Sequence, residues 1–432
     1  MRTHRYVVPP LLLALAATGC SHRSTSSAGP GGGDRSLLTP YGAALPTGSA
    51  GGDDRARSSA DGDGAVSSAA GSARTFVGRG APRPADPVPL PGTAALRAGF
   101  VDDNAHFSDY LAFLKQMDQA GVHGDPLDVS DRHVVTVVDH DGKPVLAATV
   151  ALLAGDRVLQ TARTHADGRA LLFPAVAGGG DIVQVTLGHE THRQALGTEP
   201  LRVQLDQVRP VEPVRLDLHF LLDTTGSMGD EIDRLRSTLD QVAQQIDALP
   251  QKPQVRYGLT VYRDHGDAYV SLTHDFTDLA TFRKELGRTV ADGGGDTPEA
   301  LDEAFHGAVN GPAWDSDHAV QIAFLVADAS PHLDDGPGGP SYAKDVLVAQ
   351  QKGIEVVPLA ASGTDDPAEL VFRQLAEYSM GTFFFLTYGP HGGPGDGTDR
   401  HVSGYGTGSL EDLVVGHVAS RLAALDGKAA GQ

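Results

Sequence analysis

The sequence predicts a multi-domain chain: a small all-β sandwich followed by a larger α/β doubly wound domain. Three observations carry this. From about Pro213 to Leu425 apolar strand-like runs alternate with amphipathic helical runs, as a sheet covered by helices on both faces requires. From about Val129 to Val211 the hydrophobic period falls to two, in short runs separated by Gly or Asp turns, the pattern of an antiparallel sandwich. Ahead of both, Ser21 to about Thr93 is Gly, Ser, Ala and Pro with scattered charge and no periodicity. Such a stretch cannot bury enough apolar surface to offset the cost of ordering it.

Composition narrows the function. With 34 Lys and Arg against 55 Asp and Glu, the formal charge of the 432 residues is −21. A polyanion partner rewards basic patches, so this balance argues against nucleic acid as a target. Cys20 is the single cysteine, which leaves no disulfide framework and no cysteine-ligated metal site. Arg2 and Arg5 precede the short apolar run from Val7 to Ala17, too short for a membrane span and right for a secretory signal. The run ends in Thr18-Gly19-Cys20, which resembles a bacterial lipobox. That resemblance implies a signal peptide over 1–19 and a lipidated Cys20, hence a chain held at the cell envelope, on the outer membrane or cell surface. Residues 20–95 then read as a tether. About 70 residues of this composition have an r.m.s. reach on the order of 45–50 Å.

Residues 96–128 read as a helical segment: Phe107, Tyr110, Leu111, Leu114 and Met117 keep helical spacing, Asn104 is the expected cap, and Gly121 stops the run. Asp102 and Asp103 read as helix-start acids. In the sandwich, 129–212, strands are expected at His133–Val138, Ala147–Leu153, Val158–Arg163, Arg169–Phe173, Asp181–Leu187 and Leu201–Leu205. Gly142-Lys143-Pro144-Val145 and Asp167-Gly168-Arg169 are similar to turns of carboxypeptidase regulatory-like, Ig-like modules, which serve as spacers or contact surfaces. His189-Glu190-Thr191-His192 lacks the second histidine of H-E-x-x-H and reads as an exposed loop.

The chemistry concentrates at one point of the α/β domain, 213–426, which a short tail (427–432) follows. Arg215–Asp223, RLDLHFLLD, is an apolar strand ending in an aspartate, followed by Thr224-Thr225-Gly226-Ser227-Met228 and a long amphipathic helix. Asp223, Thr225 and Ser227 are alternate residues, so one loop can aim a carboxylate and two hydroxyls at a common point beyond the strand's carboxyl end. Hard oxygens there suit Mg²⁺, Mn²⁺ or Ca²⁺ and not Zn²⁺. The same residues also serve as helix caps: Asp223 is a candidate N-cap, and Thr297-Pro298-Glu299 looks like a helix start with Pro298 in the first position.

This loop resembles the first motif, D-x-[ST]-x-S, of the metal-ion-dependent adhesion site of von Willebrand factor type A domains. Gly293-Gly294-Gly295-Asp296-Thr297-Pro298-Glu299-Ala300 is similar to the family's threonine loop, and Phe324-Leu325-Val326-Ala327-Asp328 to its last strand-and-aspartate. The resemblance implies a Rossmann-like domain with a mainly parallel six-stranded sheet. It also implies a metal site of Asp223, Thr225, Ser227, Thr297 and Asp328 holding Mg²⁺, or Mn²⁺ or Ca²⁺, that offers the ion to an Asp or Glu of a protein partner. Asp264, Asp267 and Asp296 are candidates for the surrounding rim. No P-loop, G-x-S-x-G elbow or H-E-x-x-H occurs, so a binding protein and not an enzyme is expected. The alternatives are an envelope assembly factor whose ion staples the fold, and a metal-assisted hydrolase with His265 as the nearest base. The Gly- and His-rich stretch 388–408, with His391, Asp396, Asp399 and His401, is long for a loop and is expected on the same rim.

Overall fold

The computed structural model describes residues 96–198, 200–207, 214–295, 297–333, 338–387, 401–402 and 405–427. The expected signal peptide, Cys20, the tether, Asp296, His391, Asp396, Asp399 and the tail beyond Gly427 lie outside the described residues.

In chain order the first part contains β1 (Arg97–Val101), α1 (Phe107–Ala120), β2 (His133–Val138), β3 (Thr149–Ala154), β4 (Arg157–Arg163), β5 (Arg169–Leu172) and a one-turn α2 (Pro174–Ala177). Then come β6 (Ile182–Leu187), β7 (Glu190–Ala195) and β8 (Leu201–Gln204). The second part runs β9 (Arg215–Asp223), a 3₁₀ turn (Gly226–Met228), α3 (Gly229–Asp247), β10 (Gln254–Tyr262), β11 (Ser271–Thr277), α4 (Leu279–Leu286), α5 (Leu301–Asn310) and β12 (Ala319–Ala327). It closes with α6 (Tyr342–Lys352), β13 (Ile354–Ala360), α7 (Asp366–Tyr378), β14 (Phe383–Thr387), β15 (Gly406–Ser409) and α8 (Leu410–Ala424).

The main sheet has eight strands in the order β11-β10-β9-β12-β13-β14-β1-β15, not the six expected. The five from β10 to β14 are parallel, whereas β11, β1 and β15 each run antiparallel to a neighbour, so the sheet is mixed. β9 explains why the sheet is covered on both faces. Leu216, Leu218, Phe220 and Leu222 point into one core with α3, α4 and α8, while Leu221 points into a second core with α1, α5, α6 and α7. Two polar residues sit on the second face: Asp217 takes a two-pronged bond from Arg256 (2.8 and 2.6 Å), and His219 meets Thr260 at 2.9 Å. Burial drives His219 down to about 3, so it is neutral.

The segment expected to be only helical differs in two ways. It opens with β1, which lies between β14 and β15, and its acids are not both local. Asp102 does accept from the Ala105 backbone (3.0 Å), but Asp103 is buried against Arg373 of α7, and no side chain caps α1. Asn104 instead donates to the Ala376 and Gly381 carbonyls and accepts from Arg132. Near the other end, β13 carries Glu355, buried with Arg421 and His417 of α8 at 2.8–3.0 Å. Burial pushes its carboxyl up, but those two partners win and hold it well below the usual carboxylate range.

Residues 133–204 form two sheets, β5-β2-β8 and β4-β3-β6-β7, around one apolar core of Val135, Val137, Val150, Leu152, Val183 and Val185 among others. β2 and β8 are parallel, so the pairing is not wholly antiparallel. This unit rests on the α6–α7 side of the larger domain: Phe173 stacks on Tyr378 at 4.1 Å, and Gln160 donates to Gln350 at 3.1 Å. His189 is in the turn of the β6–β7 hairpin, but Glu190 and His192 belong to strand β7 and not to a loop. Glu190 accepts from the Asp206 and Gln207 backbones and pairs with His192 at 2.7 Å.

Candidate metal centre

β9 and β12 end side by side, so Asp223 and Asp328 face each other across the carboxyl edge of the sheet. Asp223 is fully buried. Its Oδ1 accepts from the Thr225 backbone N–H (2.9 Å) and hydroxyl (2.7 Å), and Thr225 Oγ1 lies 3.1 Å from Ser227 Oγ. The alternate spacing thus does bring a carboxylate and two hydroxyls to one point. Neither Asp223 nor Thr225 caps a helix through its side chain.

The threonine loop is tied in at both ends. Gly226 donates to Gly293 O (3.0 Å), Asp292 donates to Thr224 O (3.0 Å), and Glu299 donates to Ser330 O (3.0 Å). Thr297 is exposed between these ties, ahead of a helix that begins at Leu301 and not at Pro298. Asp267 braces the same loop by accepting from Gly294 N–H (2.8 Å) and Asp264 N–H (3.2 Å). The brace leaves no room beside it. Gly293 has φ 78°, and a Cβ there would meet the Asp267 carboxylate at 2.4–2.5 Å. Gly293→Ala is expected to cost roughly 1–3 kcal/mol in urea unfolding, because it strains the backbone and opens the brace together.

The electrostatics are one-sided. Burial, then the charge of Asp328, pushes Asp223 up to about 7, and burial raises Asp328. Glu299, 2% exposed, is pushed up to about 8 by burial and then by Asp223 and Asp264. Tyr262, fully buried, is raised well above its ordinary value by burial and then by Asp223. Among the described residues Asp223 Oδ2, Asp328 Oδ1 and Glu299 Oε2 are buried without a hydrogen-bond partner. Arg263 is adjacent in sequence but turns away, to Val290 O (3.1 Å), Asp292 (3.5 Å) and the Tyr269 ring. Buried acceptors left unpaired are costly, and the neighbouring carboxylates of Asp223 and Asp328 fit a hard cation as the missing partner.

A family model for the von Willebrand factor type A domain matches residues 217–387. Those residues form a von Willebrand factor type A domain. The span begins in β9 and ends in β14, so it takes in all three loops of the candidate centre and omits β1, β15 and α8. The chain is 34% identical over 141 residues to von Willebrand factor A domain-containing protein 7 of Rattus norvegicus, and 36% identical over 116 residues to the Homo sapiens protein of that name. These matches cover 32% and 26% of this chain, but only 14% and 12% of those relatives. Among solved structures, the pilus adhesin SpaC of Lactobacillus rhamnosus GG in its open conformation is similar, at 13% identity and TM-score 0.30. The match covers 38% of this chain and 26% of that one. Type A domains generally mediate protein–protein contact.

Of the residues singled out in the sequence, Asp223, Thr225, Ser227 and Asp328 come together, and Thr297 stands on the loop clamped above them. Asp264 and Asp267 reach the same edge, where Asp264 pairs with His332 (2.6 Å). Glu299 was missed. Its place before a helix suggests a solvated first-turn acid, but it lies in an extended bridge to Pro331. Of the 388–408 stretch, the described residues 406–408 lie in β15, which begins with Gly406 opposite Phe100, toward the far end of β1. His401 lies against Glu369 of α7 at 2.9 Å.

Proposed function

We propose that this chain is a membrane-anchored, divalent-cation-dependent binding protein, held by a lipidated Cys20, whose type A domain offers Mg²⁺ (or Mn²⁺ or Ca²⁺) to a carboxylate of a protein partner. The observation that supports this most directly is the pairing of Asp223 and Asp328, each with a buried oxygen left unpartnered, beside the hydroxyls of Thr225 and Ser227. Thr225, Ser227 and Thr297 are the hydroxyl donors that would hold the ion, with Asp223 and Asp328 as its carboxylates. When bound, a divalent ion supplies a positive centre to which a partner's Asp or Glu can be drawn. The chain's own residues do the rest. Neutral hydroxyls leave that centre short of compensating charge, and burial of Asp223 keeps bulk water from screening it. Asp267 holds the threonine loop down so that the edge is formed before a partner arrives.

The test is thermal and chemical unfolding of the full chain with Mg²⁺ and Mn²⁺, beside Asp223→Ala. Binding to the folded chain alone should add about 2.7 kcal/mol at roughly 100 times Kd and leave the variant flat. A wild type indifferent to both ions would sink the proposal. Capture of a carboxylate-bearing partner with and without chelator then separates ion-dependent adhesion from a constitutive envelope contact.

A further inference from the structure

A second group of side chains on the same edge has a different donor chemistry. The turn after β10 brings Asp264 and His265, the third loop brings His332, and the first turn of α5 brings Glu303. One coordinating atom each from Asp264, His265 and His332 lie within 4.8 Å of one another. His332 Nε2 is 2.6 Å from Asp264 Oδ1, and His265 Nε2 is 2.9 Å from Glu303 Oε1. The two imidazoles stack at 5.0 Å with 19° between their planes. We propose that Asp264, His265 and His332 bind a borderline transition-metal ion of the zinc class, a second ion distinct from the one proposed at Asp223.

The donor set decides the class. Two imidazole nitrogens and a carboxylate suit Zn²⁺ and its first-row neighbours, whereas Mg²⁺ and Ca²⁺ take oxygen ligands. Glu303 holds His265 Nε2, so His265 would ligate through Nδ1 with a carboxylate fixing the ring from its other nitrogen, as ligating histidines usually have. Local charge is acidic. Asp267 and Glu299 stand on the adjoining backbone, and Glu299, buried with Oε2 unpartnered, pairs through its main chain with Pro331, the residue before His332. The basic groups nearby are committed elsewhere: Arg263 faces Val290 O and Asp292, and Lys344 donates to Gly339 O. His332 and Glu303 also line a cleft of about 550 Å³ with Asp302, Leu333, Lys344 and Leu347. An ion here would therefore sit at the cleft wall with a coordination position open to a ligand or partner side chain. The inference does not depend on the Asp223 site, because none of its three ligands is shared.

The test is equilibrium dialysis of the full chain against Zn²⁺, with Co²⁺ absorption as a reporter of nitrogen ligation. The expected result is one tightly held equivalent that millimolar Mg²⁺ does not displace and that Asp223→Ala retains. His265→Ala and His332→Ala should each weaken it at least ~10-fold, and Glu303→Gln should weaken it less. His265 is 44% exposed, so its truncation is compatible with folding, and circular dichroism of each variant checks this. No stoichiometric ion in the wild type, or unchanged binding in both histidine variants, overturns the proposal. Loss of zinc in Asp223→Ala with the histidine variants intact overturns it too, by moving the ion to the oxygen site.

Discussion

Arg373→Ala is expected to lower the stability of the folded chain by about 3–5 kcal/mol, the cost of leaving a buried charge without its partner. Arg373 and Asp103 are 3% and 1% exposed, and they meet through two bonds of 2.8 and 2.7 Å. The same guanidinium lies 3.3 Å from Glu369 and 3.7 Å above the Phe113 ring, so truncation also strips α1 of a packing partner. Urea unfolding of Arg373→Ala, Asp103→Ala and Asp103→Leu/Arg373→Met would measure this. Each single variant should lose several kcal/mol, and the double apolar variant should lose much less than their sum. Strict additivity, within about 0.5 kcal/mol, would show that the two residues act independently and that the pair is not a unit.

The second large effect is a pH dependence with a definite sign. In the unfolded chain Asp223 has its ordinary value of 3.8, and in the folded chain burial, then Asp328, moves it up to about 7. The folded form therefore keeps a proton that the unfolded form has released. This contribution is present in full below about pH 4 and is lost as pH rises through about 7, a swing on the order of 4 kcal/mol. Glu355, held low by Arg421 and His417, acts in the opposite sense, so the signal is the difference between wild type and Asp223→Asn. Without metal, the two proteins should match near pH 4, and the variant should be the more stable at pH 8. Saturating Mg²⁺ should reverse the order at pH 8, because the ionised carboxylate is then the form with a partner. A constant difference across this range would mean that Asp223 does not carry the proton.

The sequence showed the centre better than the frame around it, and the reason is physical. β9 and β12 are buried on both faces, so they read as apolar runs, and an aspartate at the end of each stands out. β15 is Gly-Thr-Gly-Ser, with no large side chain, and β1 offers only Phe100 and Val101. Both are strands because their backbones pair across more than 280 residues of chain, β1 with β14 and β15, and no local pattern encodes that. Asp103 and Glu299 fail for a related reason. An acid near a helix start looks like a dipole effect until its partner, 270 residues away for Asp103, is in view.

The direction of β1 bears on how the molecule would be presented. Arg97 pairs with Thr387, at the carboxyl end of β14, so the chain enters the sheet on the edge that carries Asp223 and Asp328. A lipid on Cys20, as proposed, would then be joined to the domain at the edge proposed to meet a partner. Facing outward would require the intervening chain to double back along the sheet's height, about 30 Å for nine-residue strands such as β9. The 45–50 Å expected of a chain of that composition exceeds this height. Shortening residues 21–93 by two thirds should then leave ion binding untouched while removing access for a partner on an opposing surface.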